Sequence, residues 1–291
     1  MKTIQVEFGK PSKFYLNNKR INSVTAFGYY KKGAKFNFGG KSKTDVKIPD
    51  GHDIILELFS GTGSVTHALT PKFLRKISPK RKVTIVSLDL SDKFYKPTIK
   101  ENILDWDYKS FIDAYKGRIL YIHGSPPCAP HSRSNTRKHK NPQKDKKDKA
   151  NSKKIWKRVA DIITYAKPKA FALENPWTSD ILECLDRWFP GKKMFKNRVR
   201  GDYCAYGFNY QKQTLFITSN PKVTLRKCPK PKNLCHATKE NRKTKRWVHI
   251  TNIEDIPNLG DRYSIPHPII RAVVSQNLNV PWKEKFNNIK K

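Results

Sequence analysis

Acidic side chains are scarce. The 291 residues hold 24 Asp and Glu against 60 Lys and Arg, a formal net charge of +36. Such an excess repels itself and adds nothing to the stability of a fold. It is explained by a polyanionic partner, of which the phosphate backbone of nucleic acid is the usual one. Long apolar runs are missing too. None approaches the ~20 residues of a membrane span, and the N-terminus has no signal-peptide core. There is neither a basic amphipathic helix nor a lipidation signal, so no membrane partner is expected. Cysteine is sparse: the five, at 128, 184, 204, 228 and 235, are odd in number and scattered. That excludes a disulfide framework and points to an intracellular, reducing compartment. Phosphate-loop signatures are absent as well. The one glycine-rich turn, Ser60-Gly61-Thr62-Gly63-Ser64, lacks both the GxGxxG spacing and a Lys-Ser/Thr ending, which disfavours a nucleoside triphosphate.

What is present centres on Ile119 to Cys128. An apolar run reads as a buried strand, and Gly124-Ser125-Pro126-Pro127 stops it, because neither a helix nor an inner strand continues through two prolines. Cys128 is thereby presented on a stiff turn at the carboxyl end of a strand, where ligands bind in open α/β sheets. A thiol held there suits nucleophilic attack, although a single cysteine beside a proline turn is as readily a packing residue. A second strand, Ala170 to Leu173, stops at Glu174-Asn175-Pro176. One crossover helix separates the two strands, and right-handed crossovers set their ends side by side. A carboxyl group there, partly removed from water, has a raised pKa and can donate a proton.

Upstream, Ile54 to Phe59 reads as a buried strand running into the glycine turn and a short helix. Gly61 and Gly63 allow close approach of a ligand to backbone, and the helix start offers unpaired N–H groups. An adenosine carrying little phosphate fits this turn. Lys82 to Leu90 is the next strand, and Asp89 at its end can accept both hydroxyls of a ribose. Asn102 and Ile103 can bond the edge of an adenine and cover its face.

The remaining segments are less specific. Residues 1–50 are basic and aromatic, with Phe14, Tyr15, Phe27, Tyr29, Tyr30, Phe36 and Phe38 among lysines and a candidate strand over Val24 to Tyr30. They read equally as a small β-rich extension or as a base-stacking surface. Ala129 to Lys154, with His131, Arg133, Arg137 and many lysines, is expected to form a long loop that closes over a polyanion. Ser152 to Lys167 and Thr178 to Phe189 have helical periodicity, the second capped by Thr178 or Ser179. Val199 to Asn220 reads as a β-hairpin turning near Asn209. Residues 221–259 are poor in apolar side chains. Cys228 and Cys235-His236 hint at zinc, but their spacing fits no common site, so no metal is expected. Pro268 opens a final helix over Ile269 to Leu278.

Taken in order, Leu58-Phe59-Ser60-Gly61-Thr62-Gly63-Ser64, Gly124-Ser125-Pro126-Pro127-Cys128, Glu174-Asn175-Pro176 and the terminal Ser264-Ile265-Pro266 helix resemble the DNA (cytosine-5) methyltransferases, with the compact viral and phage members nearest. The resemblance covers residues 52–220 and 260–280. It implies an α/β, Rossmann-like S-adenosylmethionine-dependent methyltransferase fold: a mostly parallel sheet with a terminal β-hairpin and helices on both faces. The implied domains are a basic N-terminal extension (1–50), a catalytic domain (51–220), a short recognition region (221–259) and a C-terminal helix returning to the catalytic domain (260–291). The cofactor is S-adenosylmethionine, contacted by Phe59, Ser60, Gly61, Thr62, Gly63, Ser64 and Ser125, with Asp89 on the ribose and Asn102 and Ile103 on the adenine. Catalysis falls to Cys128 as nucleophile, Glu174 at cytosine N3, and Lys212 where the family has an arginine-rich motif. The family's usual Asp is Asn102 here, with Asp105 as a rival. DNA is the implied partner and a monomer acts on it. Cytosine-5 methylation of RNA, and a decayed protein that only binds nucleic acid, are the alternatives.

Overall fold

The structure is a computed structural model. It describes residues 46–132, 141–229, 232–251 and 253–282, together with the backbone of four short strands nearer the N-terminus. The chain divides into two compact units, Met1–Lys47 and Ile48–Lys291. In the first, β1 (Thr3–Glu7), β2 (Lys13–Leu16), β3 (Lys19–Ile21) and β4 (Lys35–Asn37) form a sheet of order β3-β2-β1-β4. The pairs β1–β2 and β2–β3 are antiparallel, and β1–β4 is parallel. The strand expected over Val24 to Tyr30, and the side chains of Phe27, Tyr29, Tyr30 and Phe38, lie outside the described residues.

The second unit is built on β5 (Asp53–Leu58), β6 (Val83–Asp89), β7 (Ile99–Lys100), β8 (Ile119–Gly124), β9 (Ala170–Pro176), β10 (Arg198–Asp202) and β11 (Gln213–Thr218). Their order is β10-β11-β9-β8-β5-β6-β7. The strands from β9 to β7 run parallel, and the β10–β11 hairpin joins antiparallel at the β9 edge. After β5 the chain moves one way to β6 and β7. It then returns to the other side of β5 for β8 and β9, so the sheet changes direction between β5 and β8. Crevices at such a point take ligands. This is the Rossmann-like fold class expected.

Near-continuous Ile and Leu in β5 mean burial on both faces, as a covered parallel sheet requires. Ile54, Ile55, Leu56 and Leu58 are all buried. On one face Ile55, Tyr121, Ala172 and Phe216 meet Val65 of α1 (Ser64–Ala68), Phe73 of α2 (Pro71–Ile77), and Ile269, Ile270 and Val273 of a C-terminal helix, His267–Asn277. On the other face α3 (Tyr108–Ala114) packs on α4 (Pro142–Ala166), which buries Trp156, Val159 and Ile163 against the sheet.

Helix α4 corrects the expected loop. It starts at Pro142, about ten residues before Ser152, so Lys144 to Lys154 are helical; Arg133, Arg137, Lys138, His139 and Lys140 lie outside the described residues. The first turns carry no apolar periodicity to read. Local polar contacts hold them instead: Asn141 Oδ1 accepts from the Lys144 N–H at 2.9 Å, Lys144 pairs with Asp148 at 2.6 Å, and Lys149 reaches Asp145 and, at 3.0 Å, Asp180. The following helix, α5 (Ile181–Trp188), starts later than expected, with Asp180 at its N-cap in place of Thr178 or Ser179. The last two helices are α6 (Leu259–Tyr263) and α7 (His267–Asn277). Among the described residues no helix is long and apolar enough to cross a membrane.

Candidate active site

A cavity of about 500 Å³ opens at the carboxyl ends of β5, β6, β8 and β9. The glycine turn after β5 forms one wall. Phe59 leaves the strand with φ +60°, a left-handed conformation that costs a bulky residue about 1–2 kcal/mol. Gly61 and Gly63 follow at φ +51° and +69°. A Cβ at Gly63 would lie 2.7 Å from the Tyr95 ring, so this position needs glycine for space as well as for φ. Phe59, Ser60, Gly61, Thr62 and Ser64 line the cavity; Gly63 does not, and its part is to shape the turn.

The N–H groups expected to be free here are partly taken. Asp89 Oδ2 accepts from the Gly61 N–H at 2.8 Å, and its other oxygen from the Ser91 N–H at 2.9 Å. Glu57, in β5, accepts from the Val65 and Thr66 N–H groups at the start of α1 and from the Thr66 hydroxyl. The α1 N-terminus is therefore capped from within the protein. Burial pushes the Glu57 carboxyl up to about 7, against the lowering effect of those hydrogen bonds. No motif marks Glu57; its place among apolar neighbours in a strand is the signal the sequence carries.

Asn102 and Ile103 both line the cavity, whereas Asp105, the rival to Asn102, is exposed outside it. The Asn102 amide nitrogen donates to Asp105 Oδ2 at 3.0 Å, and its oxygen accepts from the Leu104 N–H at 3.1 Å. At the mouth stand Leu90, Phe94 and Tyr263, large apolar side chains that remain 68%, 40% and 56% exposed. The C-terminal segment reaches this wall directly: Ser64 Oγ accepts from the Ile265 N–H at 3.0 Å, and Ile265 lines the cavity.

The opposite wall carries Ser125, Pro126, Pro127, Cys128, Glu174 and Lys212. Strands β8 and β9 are adjacent and parallel, with Gly124 opposite Leu173, so Ser125 and Glu174 leave the sheet side by side. Asn175 Nδ2 donates to the Pro126 carbonyl at 2.9 Å and ties the two turns together. Behind Cys128 the chain closes on itself. The N–H groups of His131 and Ser132 donate to the Cys128 carbonyl, and His131, fully buried, bonds Asp180 at 2.6 Å and Ser152 at 2.7 Å. His131, one of the basic residues of the expected loop, is an internal anchor. Lys212 precedes β11 and places its ammonium 4.9 Å from the centre of the Tyr203 ring.

Charges on this wall are coupled. Burial pushes the Glu174 carboxyl up, with Lys212 and the Ser125 hydroxyl opposing. Glu174 Oε1 is buried without a partner. Burial also pushes the Cys128 thiol up, the Glu174 carboxyl adds to this, and Lys212 opposes it. His123 lines the floor; burial drives its pKa down to about 4, so it is neutral. The cavity as a whole holds four carboxyl groups, Glu57, Asp89, Glu101 and Glu174, and one ammonium, Lys212. Burial pushes two of the four, Glu57 and Glu174, towards their neutral forms, and a single ammonium gives a polyphosphate little to bind.

The sheet order, the glycine turn and a cavity at the switch point define the class, a Rossmann-like α/β fold. Residues 54–176, from β5 through the Glu-Asn-Pro turn, match the model of the C-5 cytosine-specific DNA methylase family. The enzyme class that goes with the family is DNA (cytosine-5)-methyltransferase. A protein of Frog virus 3 (isolate Goorha), described as "Probable DNA (cytosine-5)-methyltransferase", is 29% identical over 202 residues, 67% of this chain and 84% of that protein. Among solved structures, the Entamoeba histolytica methyltransferase EhMeth aligns with 18% identity and a TM-score of 0.40, over 59% of this chain and 53% of its own. A Spodoptera frugiperda DNMT2 variant aligns with 14% identity and a TM-score of 0.39, over 62% and 56%. Each of these structural alignments takes in little more than half of the solved chain.

Outside the cavity, Cys228 and Cys235 come together with Cys204 and His249, and His236 is not among them.

Proposed function

We propose that the protein transfers a methyl group from S-adenosylmethionine to C5 of cytosine in DNA, with Cys128 as covalent nucleophile and Glu174 as the acid at N3. One observation carries this reading: Cys128 and Glu174 stand at neighbouring strand ends in the same cavity as the Ser60–Ser64 turn.

The cavity fits the cofactor. Its volume is in the range of small-molecule sites, its carboxyl groups suit a ligand bearing sulfonium and ammonium charges, and Ser60 Oγ is buried there without a partner. Asp89 would accept the ribose hydroxyls with lone pairs not used by Gly61 and Ser91. Asn102 and Ile103 would hold the adenine, with Leu90, Phe94 and Tyr263 covering its exposed side. When bound, the cofactor supplies an electrophilic methyl group.

Cytosine C5 is a weak nucleophile. The Cys128 thiolate adds to C6 while Glu174, whose protonated form burial favours, donates to N3, so that C5 becomes enamine-like. Lys212 favours the thiolate and balances charge as it forms. C5 takes the methyl group and S-adenosylhomocysteine is released; water then takes the C5 proton as the C6–S bond breaks and Cys128 leaves as thiolate, and N3 returns its proton to Glu174, which restores the aromatic ring. In duplex DNA the base must leave the stack to reach this depth. We assign DNA contact to the lysines of α4 and target recognition to residues 221–259.

The test is transfer of labelled methyl from S-adenosylmethionine to duplex DNA, single-stranded DNA and RNA, with Cys128→Ser in parallel. Label in DNA cytosine that disappears in Cys128→Ser is expected. Label confined to RNA would move the substrate to RNA. Transfer surviving the substitution would remove Cys128 from the mechanism, and no transfer with tight binding retained would identify a binding protein.

A further inference from the structure

Four side chains that the catalytic reading does not use converge beside the sheet. Cys204 lies in the 3-10 turn after β10, Cys228 in the extended segment after β11, and Cys235 after the 3-10 turn Lys232–Leu234. His249 is the last residue of β13 (Trp247–His249), which pairs with β12 (Thr238–Glu240). The three Sγ atoms and a His249 ring nitrogen all lie within 4.8 Å of one another. His249 Nε2 is 3.5 Å from Cys228 Sγ and 3.9 Å from Cys235 Sγ. Tetrahedral zinc, with Zn–S near 2.3 Å and Zn–N near 2.0 Å, sets its ligand atoms roughly 3.5–3.8 Å apart. The cluster already has about that size.

We infer that Cys204, Cys228, Cys235 and His249 form a structural zinc site that pins residues 221–259 to the catalytic sheet. Packing alone does not account for the arrangement. The apolar cluster here is only Cys204, Cys235 and Ala237 with Cys228 against it, and β12 and β13 are three residues each. A region so poor in core needs a staple. A disulfide would engage two sulfurs and leave the third thiol and the imidazole unserved, whereas a Cys₃His zinc uses all four. Three thiolates and one imidazole around Zn²⁺ carry a net −1. Lys232 lies near His249, while Arg200, beside Cys228 and Cys204, is paired with Asp202 at 2.8 Å. Asp202 Oδ2 accepts from the Cys228 N–H at 2.9 Å and from Gln211, which orients the loop carrying that ligand. Binding releases the three thiol protons, so affinity rises with pH.

The site reaches catalysis only through position. Cys204 follows Tyr203, whose N–H donates to the Lys212 carbonyl at 3.1 Å and whose ring lies beneath the Lys212 ammonium. The same turn thus holds the metal and sets the base of the cation on the active-site wall. The inference does not depend on the methyl-transfer reading, since its readout is metal.

The full chain, expressed with zinc supplied and purified under reducing conditions, should contain about one zinc per chain after dialysis against a mild chelator. Cys204→Ser and Cys228→Ser should each lose most of it. His236→Ala and Cys128→Ser, which alter residues outside the cluster, should keep it. Because ligand variants may not fold, a second measurement uses the unaltered chain: Co²⁺ in place of zinc should give the intense visible bands of a tetrahedral site and a thiolate charge-transfer band. Folded protein without stoichiometric zinc and without those bands would overturn the assignment. So would zinc retained in both cysteine variants, or a disulfide among Cys204, Cys228 and Cys235 found by mass.

Discussion

Lys212 influences two groups with opposite duties. Its ammonium opposes the upward push of burial on both the Cys128 thiol and the Glu174 carboxyl. The proposed chemistry needs Cys128 deprotonated and Glu174 protonated, so the active pH window lies between their effective values in the complex. Lys212→Met removes the opposing charge, and both pKa values rise. Methyl-transfer rates at neutral pH should fall by about 10–100-fold, and the pH–rate profile should move bodily to higher pH, with the ascending limb following the thiol. An unshifted profile would detach Lys212 from both groups. At this scale much was legible, because Pro-Pro-Cys, Glu-Asn-Pro and Ser-Gly-Thr-Gly punctuate strands with residues that strands do not otherwise tolerate. Glu57 and His123 escaped notice, since a polar residue inside an apolar run shows nothing of what it faces.

Elements fix how accurately those residues meet. The β8 and β9 turns are joined by the Asn175 amide on the Pro126 carbonyl, and the segment behind Cys128 is moored by His131 to Asp180 and Ser152. Asn175→Ala deletes the first tie without removing any reacting group. A displacement of about 1 Å can cost roughly 100-fold in rate. We expect kcat to drop on that order with cofactor affinity, measured by calorimetry, nearly unchanged, because all the assigned cofactor contacts but Ser125 lie at or just after the ends of β5, β6 and β7. A matched loss of cofactor binding would show that Asn175 supports the whole cavity. The strands were legible as apolar runs, and α4 was legible from Ser152 onward, where Trp156, Val159 and Ile163 set the period. Its first ten residues were not, because a helix held by lysine–aspartate pairs and a cap leaves no apolar stripe. The cysteine cluster was hidden for a related reason: its members come from four segments, and only the β10–β11 hairpin and the β12–β13 pairing bring them together.

Over the whole molecule, charge is divided by sign. The chain carries +36 overall, yet the cavity is lined by four carboxyl groups and one ammonium. The exterior would draw in a polyanion, whereas the cavity, with a single ammonium, would not. Binding of a duplex should therefore weaken steeply with salt, by about 10³-fold or more between 50 and 200 mM if six or more phosphates are neutralised. Binding of the cofactor, enclosed in the cavity, should change little over the same range. Equal salt slopes for the two ligands, measured by fluorescence anisotropy and calorimetry, would contradict this division.

The convergence of Cys128 and Glu174 on one bound cytosine is tested most directly by trapping. A DNA duplex containing 5-fluorocytosine blocks loss of the C5 substituent after methyl transfer, so a covalent nucleophile cannot leave. With S-adenosylmethionine present, we predict a protein–DNA adduct stable to denaturation, mapped by peptide mass to Cys128, and absent in Cys128→Ser. Methyl transfer to ordinary cytosine by the same preparation, with no adduct on the fluorinated duplex or an adduct on another residue, would contradict the account.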